Sequence, residues 1–217
     1  MLVEEVGLSV ISDIDDTVKV TQVADREKML RNTFLRSYVA VPGMADLYRQ
    51  WARRGATFHY ISASPWQLYE PLYTFMEARG FPAGSFLLKT FYWKDSRFMS
   101  LFVDPMEYKL ASIDPVLRLY PRRRFVLVGD SGEKDPEAYG ELARRYPEQI
   151  VRILIRAVGG EARDLGRFRE AFKDVPQDKW VVFTRPDEVT SVNLGVISQT
   201  RPAGSSPTIP AGGTRPE

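Results

Sequence analysis

Three aspartates end an apolar segment near the start of the chain. The sequence LSVISDIDDT places Asp13, Asp15 and Asp16 directly after the apolar residues Val10 and Ile11. Carboxylates this close repel one another, and each loses hydration energy if the end of a strand is buried. These residues alone leave two interpretations open: a solvated turn, in which Asp is common, and a site that binds a cation.

Polar residues also follow two other apolar segments. Ser62 ends TFHYIS, and Asp130 and Asp135 lie in GDSGEKD, which follows FVLV. A single lysine, Lys109, lies on the helical pattern that leads into FVLV. Carboxylates that converge from two strands form a site of hard oxygen ligands, and a chain with no Cys and one His favours magnesium there. The residues therefore predict a Mg²⁺ ion beside the aspartates, with Lys109 adding positive charge.

Two other interpretations of these motifs fail. A calcium-binding EF-hand loop starting at Asp13 would need Gly at its sixth position and Glu at its twelfth, where the chain has Val18 and Ala24. GDSG at 129–132 resembles the nucleophile loop of trypsin-like proteases, but the chain has no cysteines and its pattern is α/β. The only histidine, His59, lies in the middle of a predicted strand, where we expect packing rather than catalysis.

Six short apolar segments alternate with helical patterns. We expect strands at 8–12, 57–62, 86–90, 125–129, 150–155 and 180–184. Helices should lie between them, two of which begin with a polar N-cap before proline, at Ser64-Pro65 and Asp135-Pro136. Strands that are apolar on both faces, joined by right-handed helical crossovers, predict a doubly wound, mainly parallel α/β sheet with helices on both faces.

Composition limits the class of protein. The chain has 217 residues, 44% of them hydrophobic, which is typical of a globular protein with a sizeable core. Its formal net charge of +2 does not favour nucleic-acid binding. No stretch approaches the ~20 apolar residues of a membrane-spanning helix, and the acidic N-terminus is unlike a signal peptide. We expect a soluble, cytoplasmic domain over 1–190 and a disordered Pro/Gly/Ser-rich tail over 191–217.

The motifs in this order resemble a known superfamily. DIDDT, the serine of YISASPW, Lys109 and GDSGEKD match the pattern of the haloacid dehalogenase phosphotransferases. DIDDTVK, ISASPWQLY and YKLASIDPVLRLYPRRRFVLVGDSGEKDPEAY are similar to the catalytic domain of the actin-patch-associated phosphatidate phosphatase family. The resemblance covers most of residues 8–185. It implies a haloacid dehalogenase-like fold with a small cap insertion, here at 19–41, and hydrolysis of phosphatidate to diacylglycerol and phosphate.

The resemblance also implies a role for each motif residue. Asp13 would be the nucleophile that forms an aspartyl-phosphate, and Asp15 would be the general acid and then the general base. Mg²⁺ would be held by the Asp13 carboxylate, the Asp15 backbone carbonyl and Asp130, with Asp135 as a further metal partner. Ser62 and Lys109 would contact the phosphoryl group. The remaining motif positions are expected to bind substrate or brace the loop: Thr17, Asp16, Ser64, Trp66 and Ser131.

Two segments mix basic and aromatic residues and bear on the substrate. These are 19–41 and 91–102, with Arg31, Phe34, Leu35, Phe91, Tyr92, Trp93 and Lys94 as candidates for contact with an anionic membrane surface. Packing on the core is the competing interpretation. Two alternative functions remain open: a phosphatase for a soluble phosphomonoester, and a receiver-like phospho-sensor without catalysis. The sensor would need an Asp at the end of the third strand, and FLLKTF has none. The sequence gives no indication of oligomeric state.

Overall fold

Six parallel strands form a single sheet. The computed structural model describes residues 3–20, 38–89, 104–159, 165–192 and 194. The strands are β1 (Gly7–Asp13), β2 (Thr57–Pro65), β3 (Gly84–Lys89), β4 (Arg123–Asp130), β5 (Ile150–Arg156) and β6 (Trp180–Phe183). Their order is β3-β2-β1-β4-β5-β6, and every neighbouring pair is parallel. The predicted doubly wound sheet is confirmed, with a strand at each of the six predicted segments.

Helices cover both faces of this sheet. They are α1 (Met44–Arg53), α2 (Tyr69–Ala78), α3 (Pro105–Leu119), α4 (Asp135–Arg145) and α5 (Leu165–Ala171). Successive strand residues point to opposite faces, so Val10 packs with the aromatic face of α1, whereas Ile11 packs with α3 and α4. Aromatic residues of these helices lie in the core, as the buried side chains of Trp51 in α1 and Phe168 in α5 illustrate.

Two helix starts differ from the sequence prediction. Ser64 and Pro65 are not an N-cap and first helical residue, because β2 continues through Pro65 and α2 begins only at Tyr69 after a short 3₁₀ turn. The Ser64 amide donates to Ser62 Oγ at 2.9 Å, and the pairing with β3 shifts register there. Asp135 is the first residue of α4 rather than its N-cap, since its carboxylate bonds elsewhere, to Lys109 and to the Asp130 amide.

Several predictions fall outside the described residues. These comprise residues 21–37 of the cap-like insertion, the whole second basic and aromatic segment (91–102) and the tail from 195 onward. The candidates for membrane contact lie there as well: Arg31, Phe34, Leu35, Phe91, Tyr92, Trp93 and Lys94. In the part of the chain that the structure describes, no helix has both the length and the apolar composition needed to cross a membrane.

A buried polar network ties the central strands together away from the aspartates. Arg123, which is 2% exposed, donates to Ser9 Oγ at 2.9 Å, to the Leu8 carbonyl at 2.8 Å and to Thr57 Oγ1 at 2.9 Å. His59 is buried beside it, with its ring nitrogens 3.3 Å from Ser9 Oγ and 2.8 Å from a serine hydroxyl of β3. His59 is thus a packed strand residue, as predicted, and takes no part in the aspartate site.

We predict that His59 stays neutral at any physiological pH. Burial of the ring is the larger cause and the positive charge of Arg123 the smaller; together they lower the pKa of His59 from 6.5 to about 4. Between these two values the unfolded chain binds a proton that the folded chain does not, so the free energy of unfolding falls as pH drops from 6.5 towards 4. The loss should reach about 3 kcal/mol.

The single histidine makes this easy to measure. Its ring proton resonance should show no titration between pH 8 and 5 in the folded protein. Urea unfolding of His59→Gln should lack this component of the acid destabilisation that the wild type shows between pH 6.5 and 4. A midpoint near 6.5 for the folded protein would contradict the buried environment described here.

Candidate active site

The ends of two neighbouring strands bring aspartates from distant parts of the chain together. β1 ends at Asp13 and β4 ends at Asp130, and the two strands pair directly, with Ser12 opposite Val128. The strand order reverses at this pair, since β2 and β3 lie on one side and β5 and β6 on the other. The crevice beyond the carboxyl ends of such strands is where α/β proteins bind ligands.

Three buried carboxylates form a cluster in this crevice. Asp13, Asp130 and Asp135 are each at most 1% exposed, and each offers an oxygen within 4.8 Å of the others. Lys109, 1% exposed and carried by α3, donates to Asp13 Oδ1 at 2.8 Å and also to Asp135 Oδ1. Asp135 Oδ2 accepts from the Asp130 amide at 3.0 Å. Four of the predicted site residues therefore lie together, with three carboxyl groups around one lysine.

Glycine at position 129 is required by this packing. A Cβ placed there would lie 2.1 Å from Asp135 Oδ2, well inside van der Waals contact. Any side chain at Gly129 would therefore displace the carboxylate that bonds both Lys109 and the Asp130 amide. The first glycine of GDSGEKD, Gly129, thus leaves the space that the Asp135 carboxylate occupies.

Some buried oxygen atoms of the cluster have no hydrogen-bond partner among the described residues. These are Asp13 Oδ2 and Asp130 Oδ2, together with Thr17 Oγ1 nearby in sequence. Leaving a buried charged oxygen without a partner is costly, whereas a divalent cation would satisfy carboxylate oxygens directly. The donor set is all oxygen, which suits a hard cation. The residues present therefore fit a metal ion, and the cluster could bind one.

The protonation of the cluster reflects its charge imbalance. Burial raises the pKa of Asp13 well above its usual value, against the opposing effect of Lys109. Burial and the Asp135 charge raise the pKa of Asp130 to about 8. Burial alone would lower the pKa of Lys109, but the Asp13 and Asp135 carboxylates outweigh it and hold that pKa well above the usual value. A bound cation would favour the ionised carboxylates and reverse the shifts of Asp13 and Asp130.

Asp15 lies at the same edge of the sheet but in a different set of contacts. Its Oδ2 accepts from Ser62 Oγ at 2.8 Å and from Ser64 Oγ at 3.5 Å, and its Oδ1 pairs with Lys19. Lys19 also lies 5.3 Å from the centre of the Tyr38 ring. The Asp15 carboxylate is not one of the three that converge, and the predicted role of its backbone carbonyl as a metal ligand stays a prediction.

Lys19 belongs to the predicted cap-like insertion, and its contact with Asp15 was not predicted from the sequence. The two residues stand four apart, a spacing at which opposite charges often meet on a helix, but the sequence showed no helix there. The isolated bridges of residue 19 to Asp15 and Ala40 show that it belongs to the loop after β1. The ammonium group of Lys19 therefore pairs with the Asp15 carboxylate of the DIDDT motif.

Asp16 and Thr17, the other polar residues of the DIDDT motif, lie in the loop after β1, and their predicted substrate contacts stay predictions. Thr17 is fully buried, and Asp16 has a left-handed backbone with φ of 51°. The Asp16 carbonyl accepts a hydrogen bond from Arg156 Nη1 at 2.5 Å, which ties the loop to the end of β5. No local sequence pattern pointed to Arg156, because its contact joins residues 140 positions apart.

The remaining predicted substrate-binding residues lie in two different settings. Ser131 is buried, and its hydroxyl accepts from the Val158 amide at 2.9 Å, so this contact holds the loop against the end of β5. Trp66 is 50% exposed, and its ring stacks on Tyr69 with a centre-to-centre distance of 5.0 Å. The substrate-binding roles of Ser64, Trp66 and Ser131 stay predictions.

The fold is similar to that of a solved structure of unassigned function. The crystal structure of an uncharacterised protein from Listeria monocytogenes serotype 4b aligns with a TM-score of 0.51 at 12% identity, covering 84% of this chain and 94% of that one. Identity this low supports a shared fold and carries nothing about activity.

Curated relatives match more closely in sequence. The phosphatidate phosphatase APP1 of Saccharomyces cerevisiae is 36% identical over 164 residues, and an uncharacterised protein of Schizosaccharomyces pombe is 35% identical over 156 residues. These alignments cover 73% and 70% of this chain but 27% and 25% of the relatives, so the chain spans about a quarter of their length.

The family match contains the whole aspartate cluster. The family model described as phosphatidate phosphatase APP1, catalytic domain, matches residues 8–157, a range that includes Asp13, Lys109, Asp130 and Asp135. The predicted resemblance is confirmed, and the chain belongs to the family of the phosphatidate phosphatase APP1 catalytic domain.

Proposed function

We propose that this chain is a magnesium-dependent phosphomonoesterase that hydrolyses phosphatidate to diacylglycerol and inorganic phosphate. The observation that carries the proposal is the buried cluster of Asp13, Asp130 and Asp135 around Lys109. A phosphoryl group is anionic, so three buried carboxylates would repel it unless a cation accompanied them. Membership of the family, and the name of its budding-yeast relative, support the substrate class.

Asp13 is positioned to be the nucleophile of the first step. It is the last residue of β1, buried, with one oxygen held by Lys109 and the other without a protein partner among the described residues. One carboxylate oxygen would attack phosphorus while the bond from phosphorus to the glycerol oxygen breaks. Asp15 would give a proton to the leaving alkoxide, which completes diacylglycerol and leaves an aspartyl-phosphate on Asp13.

The second step returns the enzyme to its starting state. Water would attack the phosphorus of the aspartyl-phosphate, Asp15 would take the proton of that water, and the bond from phosphorus to Asp13 would break to release phosphate. Ser62, whose hydroxyl lies 2.8 Å from Asp15, would hold that carboxylate in place between the two proton transfers. Lys109 would offset negative charge on the phosphoryl oxygens.

The all-oxygen donor set of this cluster suits Mg²⁺. Asp13 and Asp130 would hold it through the oxygens that lack protein partners, and Asp135 would complete the acidic set. When bound, Mg²⁺ supplies charge neutralisation of the phosphoryl oxygens. All other steps fall to side chains of this chain.

A lipid substrate implies that the protein works at a membrane surface. We propose peripheral contact with an anionic membrane from the cytoplasmic side. The proposal is supported by the composition of segments 19–41 and 91–102, which combine the basic and aromatic residue types that a membrane interface favours. The phosphate headgroup of phosphatidate would then reach Asp13 while the acyl chains remain in the bilayer.

Asp13→Asn should abolish turnover without unfolding the protein. The amide keeps the size of the side chain but lacks the nucleophilic charge, so phosphate release should fall at least ~1,000-fold. The metal-free melting temperature should stay equal or rise, because one of three repelling carboxylates is gone. Asp46→Asn, at an exposed aspartate of α1, is the matched control and should retain full activity. A folded Asp13→Asn protein with a tenth of wild-type activity would exclude Asp13 as nucleophile.

Metal removal should stop the reaction reversibly. Phosphate release should vanish in a chelator and return on addition of Mg²⁺, since the cluster holds three carboxylates against one lysine. Asp130→Asn should weaken Mg²⁺ binding in isothermal calorimetry at least ~10-fold. Undiminished turnover in chelator, together with no heat of Mg²⁺ binding, would overturn the metal-dependent mechanism.

A substrate comparison tests the lipid assignment. Long-chain phosphatidate in vesicles should be hydrolysed in preference to soluble sugar phosphates. The double variant Phe34→Ala/Trp93→Ala should bind anionic vesicles more weakly and slow this reaction several-fold, because the interface loses two large rings. Hydrolysis of a short-chain, water-soluble phosphatidate should be nearly unchanged. Preference for a soluble phosphomonoester would refute the phosphatidate assignment and leave the phosphatase chemistry standing.

A further inference from the structure

We propose that Arg167 is a positioning residue that orients the Asp130 carboxylate for Mg²⁺ through the peptide bond between Ser131 and Gly132. The inference rests on the proposed metal-dependent function and deepens it. Arg167 lies on α5, beyond the residues 8–157 that the family model matches. A residue that lies outside the matched range would therefore help to orient a metal ligand that lies inside it.

The guanidinium of Arg167 forms hydrogen bonds with the loop of residues 130–135, which we name the metal loop. Nη1 donates to the carbonyl of Ser131, and Nη2 donates to the carbonyl of Glu133. The same guanidinium forms a forked ion pair with Glu137 of α4, through Nε at 3.0 Å and Nη2 at 3.1 Å. Because the fork is planar and both ends are bonded, Arg167 holds two carbonyls of the loop in fixed directions.

Peptide geometry carries this constraint to the metal ligand. In a trans peptide the carbonyl and the following N–H point in opposite directions. The Ser131 carbonyl points at Arg167, so the Gly132 N–H points the other way, and it donates to Asp130 Oδ1 at 2.6 Å. That hydrogen bond uses one oxygen of Asp130 and leaves Oδ2 buried without a partner among the described residues. The free oxygen is the one available to a cation.

The rest of the loop is fixed independently of Arg167. The Ser131 amide donates to the Arg156 carbonyl at 2.9 Å, and the Ser131 hydroxyl accepts from the Val158 amide at 2.9 Å. Asp135 bonds the Asp130 amide at 3.0 Å. Loss of Arg167 should therefore free the peptide plane between Ser131 and Gly132 while both ends of the loop stay attached. We expect the variant to keep the fold and to lose the fixed orientation of the Asp130 carboxylate.

A second arginine provides a matched control. Arg144 on α4 donates to the carbonyls of Ala171 at 3.1 Å and Lys173 at 3.0 Å, and it pairs with Glu141 at 3.1 Å. It thus joins α4 to the end of α5 with the same kinds of bonds as Arg167, two carbonyls and one glutamate. Its contacts do not include the metal loop.

The experiment measures Mg²⁺ affinity of the full chain by isothermal calorimetry, with no substrate present. Arg167→Met should raise the dissociation constant by ~10- to 100-fold, the usual effect of losing a group that orients a metal ligand. Phosphate release at saturating Mg²⁺ should stay within about threefold of wild type, since no reacting group is removed. Arg144→Met should lower the midpoint of urea unfolding to a degree similar to that of Arg167→Met. Its Mg²⁺ dissociation constant should stay within about twofold of the wild-type value.

Further variants separate the outcomes. If Arg167→Met fails to fold, Arg167→Lys keeps the charge and loses the planar fork, and it should still weaken Mg²⁺ binding several-fold. Wild-type Mg²⁺ affinity in a folded Arg167 variant would overturn this inference and leave the proposed function intact. An equal loss in Arg144→Met would also overturn it, because the effect would then be general loosening. Absence of Mg²⁺ binding in the wild type, with turnover unaffected by chelator, would instead refute the proposed function on which the inference rests.

Discussion

The charge imbalance of the buried aspartate cluster is the constraint on which the rest of the site depends. Asp13, Asp130 and Asp135 lose their hydration, while Lys109 supplies the one positive charge that the described residues place among them. Buried carboxylates in excess of cations are stable only if hydrogen bonds fix their oxygens and a further positive charge balances the excess. The tight packing of the aspartates against Gly129, the hydrogen bonds to loop amides and the fit to a cation all follow from that requirement.

The sheet places its two buried charge systems in different environments. At the carboxyl ends of β1 and β4, carboxylates outnumber cations and two oxygens lack protein partners among the described residues. Towards the start of β4, Arg123 is surrounded by carbonyls and hydroxyls that satisfy it, and Gly7 leaves room for its guanidinium. A charge that the fold satisfies completely stabilises the fold, whereas a charge that the fold leaves unsatisfied is available for a ligand. This contrast distinguishes the structural arginine from the candidate catalytic aspartates.

The metal loop shows how a site can depend on residues that touch no ligand. The Gly132 amide donates to the Asp130 carboxylate, and the carbonyl of the same peptide, that of Ser131, accepts from Arg167 of α5. Asp15 is handled separately, by Ser62 and Lys19, so that the two carboxylates of the DIDDT motif that would react meet different partners. Separate environments allow one aspartate to serve as nucleophile and the other to exchange protons.

The sequence by itself determined the six strands, the α/β class and the residues of the aspartate cluster, because apolar runs and motif order are local properties of the chain. The starts of α2 and α4 could not be predicted that way, since Ser64 and Asp135 bond to groups elsewhere in the fold in place of their own helix ends. Tertiary structure alone decided that Arg156 and Arg167 support the site. Their partners lie 140 and 36 positions away, and only the pairing of β1, β4 and β5 and the packing of α5 bring them within bonding distance.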